Sequence, residues 1–136
     1  MDLDTARAFI KEHPKAVLIV AGKDGRPLPS PVLAAVDDDG RLLISSRETA
    51  YKVRNLRRDP HATLCFLSDA FFGDWIYIEG SAEIISLPDG MDLLIDYYRR
   101  LSGEHENWDD YRSAMEQEKR VIVRVNIERA GPDRSG

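Results

Sequence analysis

Apolar residues recur along this chain with two periods, and the switches between them divide it into elements. Residues 4 to about 13 place Ala6, Phe9 and Ile10 on one side of a helix that Pro14 stops. Ala16-Val17-Leu18-Ile19-Val20-Ala21 reads as a buried strand, and Lys23-Asp24-Gly25 as a hairpin turn. A second strand spans about Pro27 to Val36, its first half held to an edge or an irregular path by prolines at 27, 29 and 31. Asp37-Asp38-Asp39-Gly40 turns the chain into the strand Arg41-Leu42-Leu43-Ile44, with Ser45 and Ser46 at its end. Thr49 stands where an N-cap belongs for a short helix beginning near Ala50, which Asp59-Pro60 ends.

Ala62 to Leu67 forms the next strand. From Asp74 to Ser86 the alternation is longest: Ile76, Ile78, Gly80, Ala82 and Ile84 share the core parity, and Trp75, Tyr77, Glu79, Ser81 and Glu83 the other. Leu93, Leu94, Tyr97, Tyr98 and Leu101 then give a helical period over about 90–101, and a second helix follows over about 109–117. Val121 to Ile127 is the last strand, with residues 131–136 read as a frayed tail behind a single domain of residues 1–130. About six strands, joined mostly by hairpins and lacking a repeated βαβ unit, predict a small antiparallel barrel and exclude a doubly wound sheet.

Composition narrows the function classes. A chain of 136 residues with 43% hydrophobic and 32% charged residues is a soluble globular domain by composition. Its apolar runs are too short to span a bilayer, and no leader pattern opens the chain, so the cytoplasm is the expected compartment. The single Cys65 lies in an apolar strand and reads as a packing residue. His13, His61 and His105 show no metal-ligand spacing, and no metal is expected. Neither GxGxxG nor GxxxxGK[ST] is present, which removes the common dinucleotide and nucleoside-triphosphate cradles.

One segment departs from the overall net charge of −5. Between Arg47 and Asp59, five cations (Arg47, Lys52, Arg54, Arg57, Arg58) face two carboxylates (Glu48, Asp59), a local charge of +3. Strand-end hydroxyls, the orphan amides of a helix first turn and these cations together suit a phosphate. Lys52 and Asn55, three apart, share one helix face, and Val53 and Leu56 anchor another.

These residues resemble a known family. Asp24-Gly25-Arg26-Pro27 with Ser30-Pro31-Val32, Ser45-Ser46, the block Lys52-Val53-Arg54-Asn55-Leu56-Arg57-Arg58-Asp59-Pro60, and Trp75 with Glu79-Gly80 resemble the pyridoxamine 5'-phosphate oxidase-like split-barrel flavoproteins. Tyr98-Arg99 with Gly103-Glu104-His105-Glu106-Asn107-Trp108-Asp109-Asp110-Tyr111-Arg112 is similar to the actinobacterial branch that uses the deazaflavin F420. The resemblance implies a mainly β fold with helices, a six-stranded antiparallel split β-barrel of the FMN-binding type. It also implies a homodimer with two cofactor clefts across the subunit interface.

On this resemblance the phosphate and acidic tail of F420 fall to Ser45, Ser46, Lys52, Asn55, Arg57 and Arg58, and the ring system to the backbone of Ser30, Pro31 and Val32. Trp75 and Tyr77 reach the partner's cleft or pack the interface, and Arg124 supplements the cations or balances interface acids. The implied activity is F420H2-dependent reduction of an electron-poor acceptor that is quinone-, tetrapyrrole- or enone-like. The alternatives are an FMN-binding oxidoreductase and a non-catalytic F420 carrier. No catalytic side chain is assigned; Tyr51, Tyr77 and Tyr98 are candidate proton donors. The chain ends without the Arg-x-His of the vitamin B6 oxidases, which disfavours that reaction.

Overall fold

Alternation along each strand fixes which face it buries, and the pairing order fixes how those faces close on one another. The protein, seen in a computed structural model that describes residues 1–133, has four helices and seven strands among those residues. They run α1 (Leu3–Glu12), β1 (Lys15–Ala21), β2 (Pro27–Leu33), β3 (Ala35–Val36), β4 (Leu42–Arg47), α2 (Tyr51–Arg58), β5 (His61–Leu67), β6 (Trp75–Ile85), α3 (Met91–Ser102), α4 (Trp108–Gln117) and β7 (Arg120–Gly131). The strands form one sheet in the order β2-β1-β5-β6-β7-β4-β3, with every pair antiparallel.

Strands β2 and β3 stand at opposite ends of that order, yet only Ala34 separates them in sequence. The sheet therefore curls until its two ends meet, giving an open half-barrel. The single strand expected over Pro27–Val36 is in fact two: β2 follows β1 as far as Leu33, then the chain crosses to pair Ala35 and Val36 with Leu43 and Leu42. The count is thus seven rather than six.

Inside the curl, Leu18, Val20, Leu42, Ile44, Leu64, Phe66, Ile78, Val121, Val123 and Val125 form the main core. Ala6 and Ile10 of α1 and Val53 and Leu56 of α2 complete it. A second core lies outside the sheet, where Leu94 and Ile95 of α3 and Tyr111 of α4 cover Ala35, Leu43 and Ile122. Cys65 faces outward, half-buried, on the parity opposite Leu64 and Phe66. The core parity read for β6 agrees with its burial, Ile76, Ile78, Gly80 and Ala82 all being buried. Strand β7 outlasts its expected end by pairing Gly131 with Tyr77, so residue 131 belongs to the sheet; residues 134–136 of the expected tail lie outside the described residues.

Candidate functional site

Helix α2 is held by Val53 and Leu56, and its first turn is left open. The residue at its N-cap is Ala50 rather than Thr49, no side chain caps it, and no acid stands in the first turn. Val53 and Arg54 donate to the Ala50 carbonyl at 3.1 and 3.2 Å, while the Tyr51 and Lys52 amides have no acceptor among the described residues. Two unsatisfied N–H groups at a helix N-terminus carry partial positive charge outward.

That end of α2 borders a groove of about 600 Å³ lined by Val20, Leu28, Pro29, Ser30, Ala50, Tyr51 and Lys52. A second cavity of about 620 Å³ shares Leu28 and Tyr51 with it and extends to Lys23, Arg54, Asn55 and Arg58. Both volumes lie in the range of small-molecule sites. Leu28 and Tyr51 are exposed, so the apolar wall faces the opening. Lys52 is half-buried without an ion-pair partner among the described residues. Burial, and secondarily the charge of Arg120, pulls its pKa below the ordinary lysine value. A desolvated cation beside free amides is relieved by an anion, and that is the electrostatic character of this site.

The structure brings Ser30 and Lys52 to one groove, with Asn55 and Arg58 in the adjoining cavity. Asn55 is buried and its Oδ1 accepts from Arg58 at 2.7 Å; Arg58 also donates to the Ala21 carbonyl at 2.6 Å. Arg58 thus ties α2 to β1. Arg57 turns away to Glu48 at 2.7 Å and to Ser86, whose hydroxyl also donates to Glu48. The Ser86 hydroxyl, and after it Arg57, holds the Glu48 carboxyl below its usual pKa against the opposing effect of burial. Arg47 pairs with Glu118 at 3.0 Å. Three of the five cations are therefore committed within the chain, and Lys52 and Arg54 have no ion-pair partner among the described residues.

Ser45 and Ser46 lie within β4, which continues to Arg47, so they are not its terminal residues. Alternation sends their side chains to opposite faces, and Ser46 is the buried one. Pro31 is exposed on the outer face and Val32 packs against the main core. Trp75 and Tyr77 stand on the outer face of β6, and the Tyr77 ring lies over Gly131, where a Cβ would meet it at 2.5 Å. Arg124 is paired with Glu83 at 2.6 Å.

Sequence reasoning missed Tyr97. Its hydroxyl donates to the Leu33 carbonyl at 3.0 Å and lies against the Ser45 backbone N–H, so it spans the gap between β2 and β4. Burial pushes its pKa up, against the pull of Ser45 and Arg120. Its helical spacing with Leu94 and Leu101 signalled packing, and nothing in that spacing signalled a bridge across the gap.

The profile of the pyridoxamine 5'-phosphate oxidase family matches residues 3–132. Among solved structures, the chain is similar to the conserved hypothetical protein Rv2991 of Mycobacterium tuberculosis, at 26% identity and a TM-score of 0.77, covering 96% of this chain and 82% of that one. It is similar in fold to a protein described as an F420 reductase, at 19% identity and a TM-score of 0.69, covering 90% and 93%. HutZ, the heme storage protein of Vibrio cholerae, is likewise similar in fold at 15% identity and a TM-score of 0.72, covering 96% and 94%. Enzymes and non-catalytic proteins thus share this architecture. With the curled antiparallel sheet, the groove beside α2 and a match over nearly its whole length, the chain belongs to the pyridoxamine 5'-phosphate oxidase family of split-barrel proteins.

Proposed function

We propose that this protein is an oxidoreductase that holds a phosphorylated flavin-type ring in the groove between β2 and α2, with FMN as the ligand the site fits first. One observation carries this reading: an uncapped, acid-free helix start beside a half-buried, unpaired lysine, at the end of an apolar groove. Lys52 and the Tyr51 and Lys52 amides hold the phosphate, and Val20, Leu28, Pro29 and Tyr51 form the wall for the ring. Bound there, such a ring supplies hydride-transfer chemistry to an electron-poor acceptor. The chain's own part is to bind, orient and exclude water, and no side chain is given a proton-transfer role.

A second reading, F420 in place of FMN, is favoured by the adjoining cavity, whose Lys23 and Arg54 outnumber the carboxylate of Asp24 and offer charge for an acidic tail. Against it stands the commitment of Arg47, Arg57 and Arg58 to partners within the chain. The homodimer is part of the proposal. The outer face of β2-β1-β5-β6 carries the cross-strand rows Pro31–Val17–Cys65–Tyr77 and Pro29–Ile19–Thr63–Glu79, which belong to neither packed core. A face of that composition suits a second copy.

Equilibrium titration of the protein with FMN and with F420, followed by absorbance and fluorescence, tests the reading. Tighter FMN binding is expected; tighter F420 binding selects the second reading, and failure of both ligands overturns both. Binding without faster oxidation of the reduced cofactor by quinone or enone acceptors would make the protein a carrier.

A further inference from the structure

The tip that joins β5 to β6 holds two phenylalanines out in water. Phe72 is 97% exposed, Phe71 beside it is 75% exposed, and their rings meet edge to face at 5.0 Å. The tip is an ordered turn: Ser68 N–H donates to the Asp74 carbonyl at 3.2 Å, Gly73 N–H to the Ala70 carbonyl at 2.8 Å, and the Ser68 hydroxyl to that same carbonyl at 3.0 Å. Asp69 and Asp74 flank the pair, exposed and without an ion-pair partner among the described residues. Rings fixed in water by a hydrogen-bonded turn form an anchor that lacks its pocket.

The cavity beside the β1–β2 turn has the complementary character. Exposed Leu28 and Tyr51 form its apolar wall, and Lys23, Arg54 and Arg58 outnumber the carboxylate of Asp24. Arg58 donates to the neutral oxygens of Asn55 and Ala21, so its charge is not cancelled. Register places tip and cavity at opposite ends of the bare face. The tip springs from Leu67 and Trp75, next to the Phe66–Ala16 pair, while Ala21, which leads into Gly22 and Lys23 of the cavity, pairs with Pro27 at the far end of β1. The length of β1, about 20 Å at about 3.3 Å per residue, keeps a chain from seating the tip in its own cavity. A two-fold axis in the plane of that face exchanges its ends, so each tip meets the cavity of the other copy and the contact forms twice.

We infer that the Phe71–Phe72 tip docks into the Lys23–Arg54 cavity of a second copy, its rings on Leu28 and Tyr51 and its carboxylates Asp69 and Asp74 against the cations. The inference rests on the homodimer proposed above and adds the segment that each copy gives to the other. Four rings buried in the dimer remove roughly 600–1,000 Å² from water, a large part of the about 1,200–2,000 Å² of a stable interface. A bilayer is the other surface that takes up phenylalanines, but the two carboxylates oppose it, because cytoplasmic membrane surfaces are negative. Seated in the cavity, the tip also takes the cations that the F420 reading gives to an acidic tail.

Sedimentation equilibrium of the full chain tests this with two charge-reversed variants, Asp69→Lys/Asp74→Lys at the tip and Lys23→Glu/Arg54→Glu at the cavity. All four side chains are exposed, so neither variant touches a packed core. Each alone should dimerise about tenfold more weakly than wild type, because like charges then meet at both contacts. An equimolar mixture of the two should recover wild-type association, since in the mixed dimer every tip faces a cavity of opposite charge. Phe71→Ser/Phe72→Ser should weaken dimerisation by at least as much as either charge variant. A wild-type dimer that the charge variants leave unchanged, or a mixture no tighter than its components, overturns the docking and leaves the homodimer standing. So does a Phe71→Ser/Phe72→Ser variant that dimerises normally and loses only binding to phosphatidylcholine vesicles, which would assign the tip to a membrane. A wild type that stays monomeric at every concentration overturns the docking together with the homodimer.

Discussion

The two outer faces of the curled sheet carry the same alternation and differ in what covers them. On β3-β4-β7, Ala35, Leu43 and Ile122 are sealed by Leu94, Ile95 and Tyr111 from α3 and α4. On β2-β1-β5-β6, Val17, Ile19, Cys65 and Tyr77 point outward half-buried, in neither packed core. A strand face adds burial only where it finds a partner, so one outer face is a second core and the other is bare among the described residues.

The largest expected effect breaks this comparison on the covered side. Leu94, fully buried, leaves a cavity in Leu94→Ala, and a loss of about 2–5 kcal/mol in denaturant unfolding is expected. Val17→Ala on the bare face should cost less than about 1 kcal/mol at protein concentrations where the chain is monomeric. Equal losses in the two variants would mean that both faces are sealed within the chain.

Next comes assembly. Val17 lies between Pro31 and Cys65 at the middle of the bare face, and for the proposed homodimer Val17→Lys should weaken dimerisation at least tenfold, or about 1.4 kcal/mol, by sedimentation equilibrium. The wild-type Tm should rise with protein concentration and that of the variant should not.

Lys52→Ala sharpens the contrast between the cations that are committed and those that are free. It should lower FMN or F420 affinity about tenfold at low salt and less at high salt, because screening erodes the contact. Equal losses at both salts would remove the electrostatic role. Ligand binding needs the protonated amine, and that pKa is depressed, so affinity should fall as pH rises through a value below the ordinary 10.5 of lysine.

A smaller effect on the covered side is at Tyr111, which donates to the Leu94 carbonyl at 2.8 Å and whose pKa burial pushes up to about 12. Tyr111→Phe should cost about 1 kcal/mol near neutral pH. The folded pKa is raised above the unfolded one, so the unfolded state releases its proton first. Wild-type stability should therefore fall as pH rises from the unfolded value of about 10 toward 12, and this component should vanish in the variant.

Much of the fold was legible because burial imposes a period. The parity of β6, the helical spacing of Leu94, Tyr98 and Leu101, and the boundaries set by Pro14 and Asp59-Pro60 all answer to neighbours close in sequence. Of the groove, Lys52 was legible as a cation close behind hydroxyls, while Ser30 entered through the family resemblance alone. Which cations were free was not, since Arg57 meets Glu48 and Ser86, and Arg58 meets the Ala21 carbonyl, across distances that composition does not encode. Nor was the split of the second strand, because Ala34 continues the apolar run whichever edge the next residues join.

The sequence by itself determined the elements, the inward face of each strand and the acceptor-rich character of β2, because proline removes its N–H in any fold. Only the tertiary structure decided that the two ends of the sheet meet, that Tyr97 bridges the gap between them and that Lys52 stands beside an open helix start with no ion-pair partner among the described residues. Those outcomes depend on the curl of the whole sheet, which brings together groups far apart in the chain.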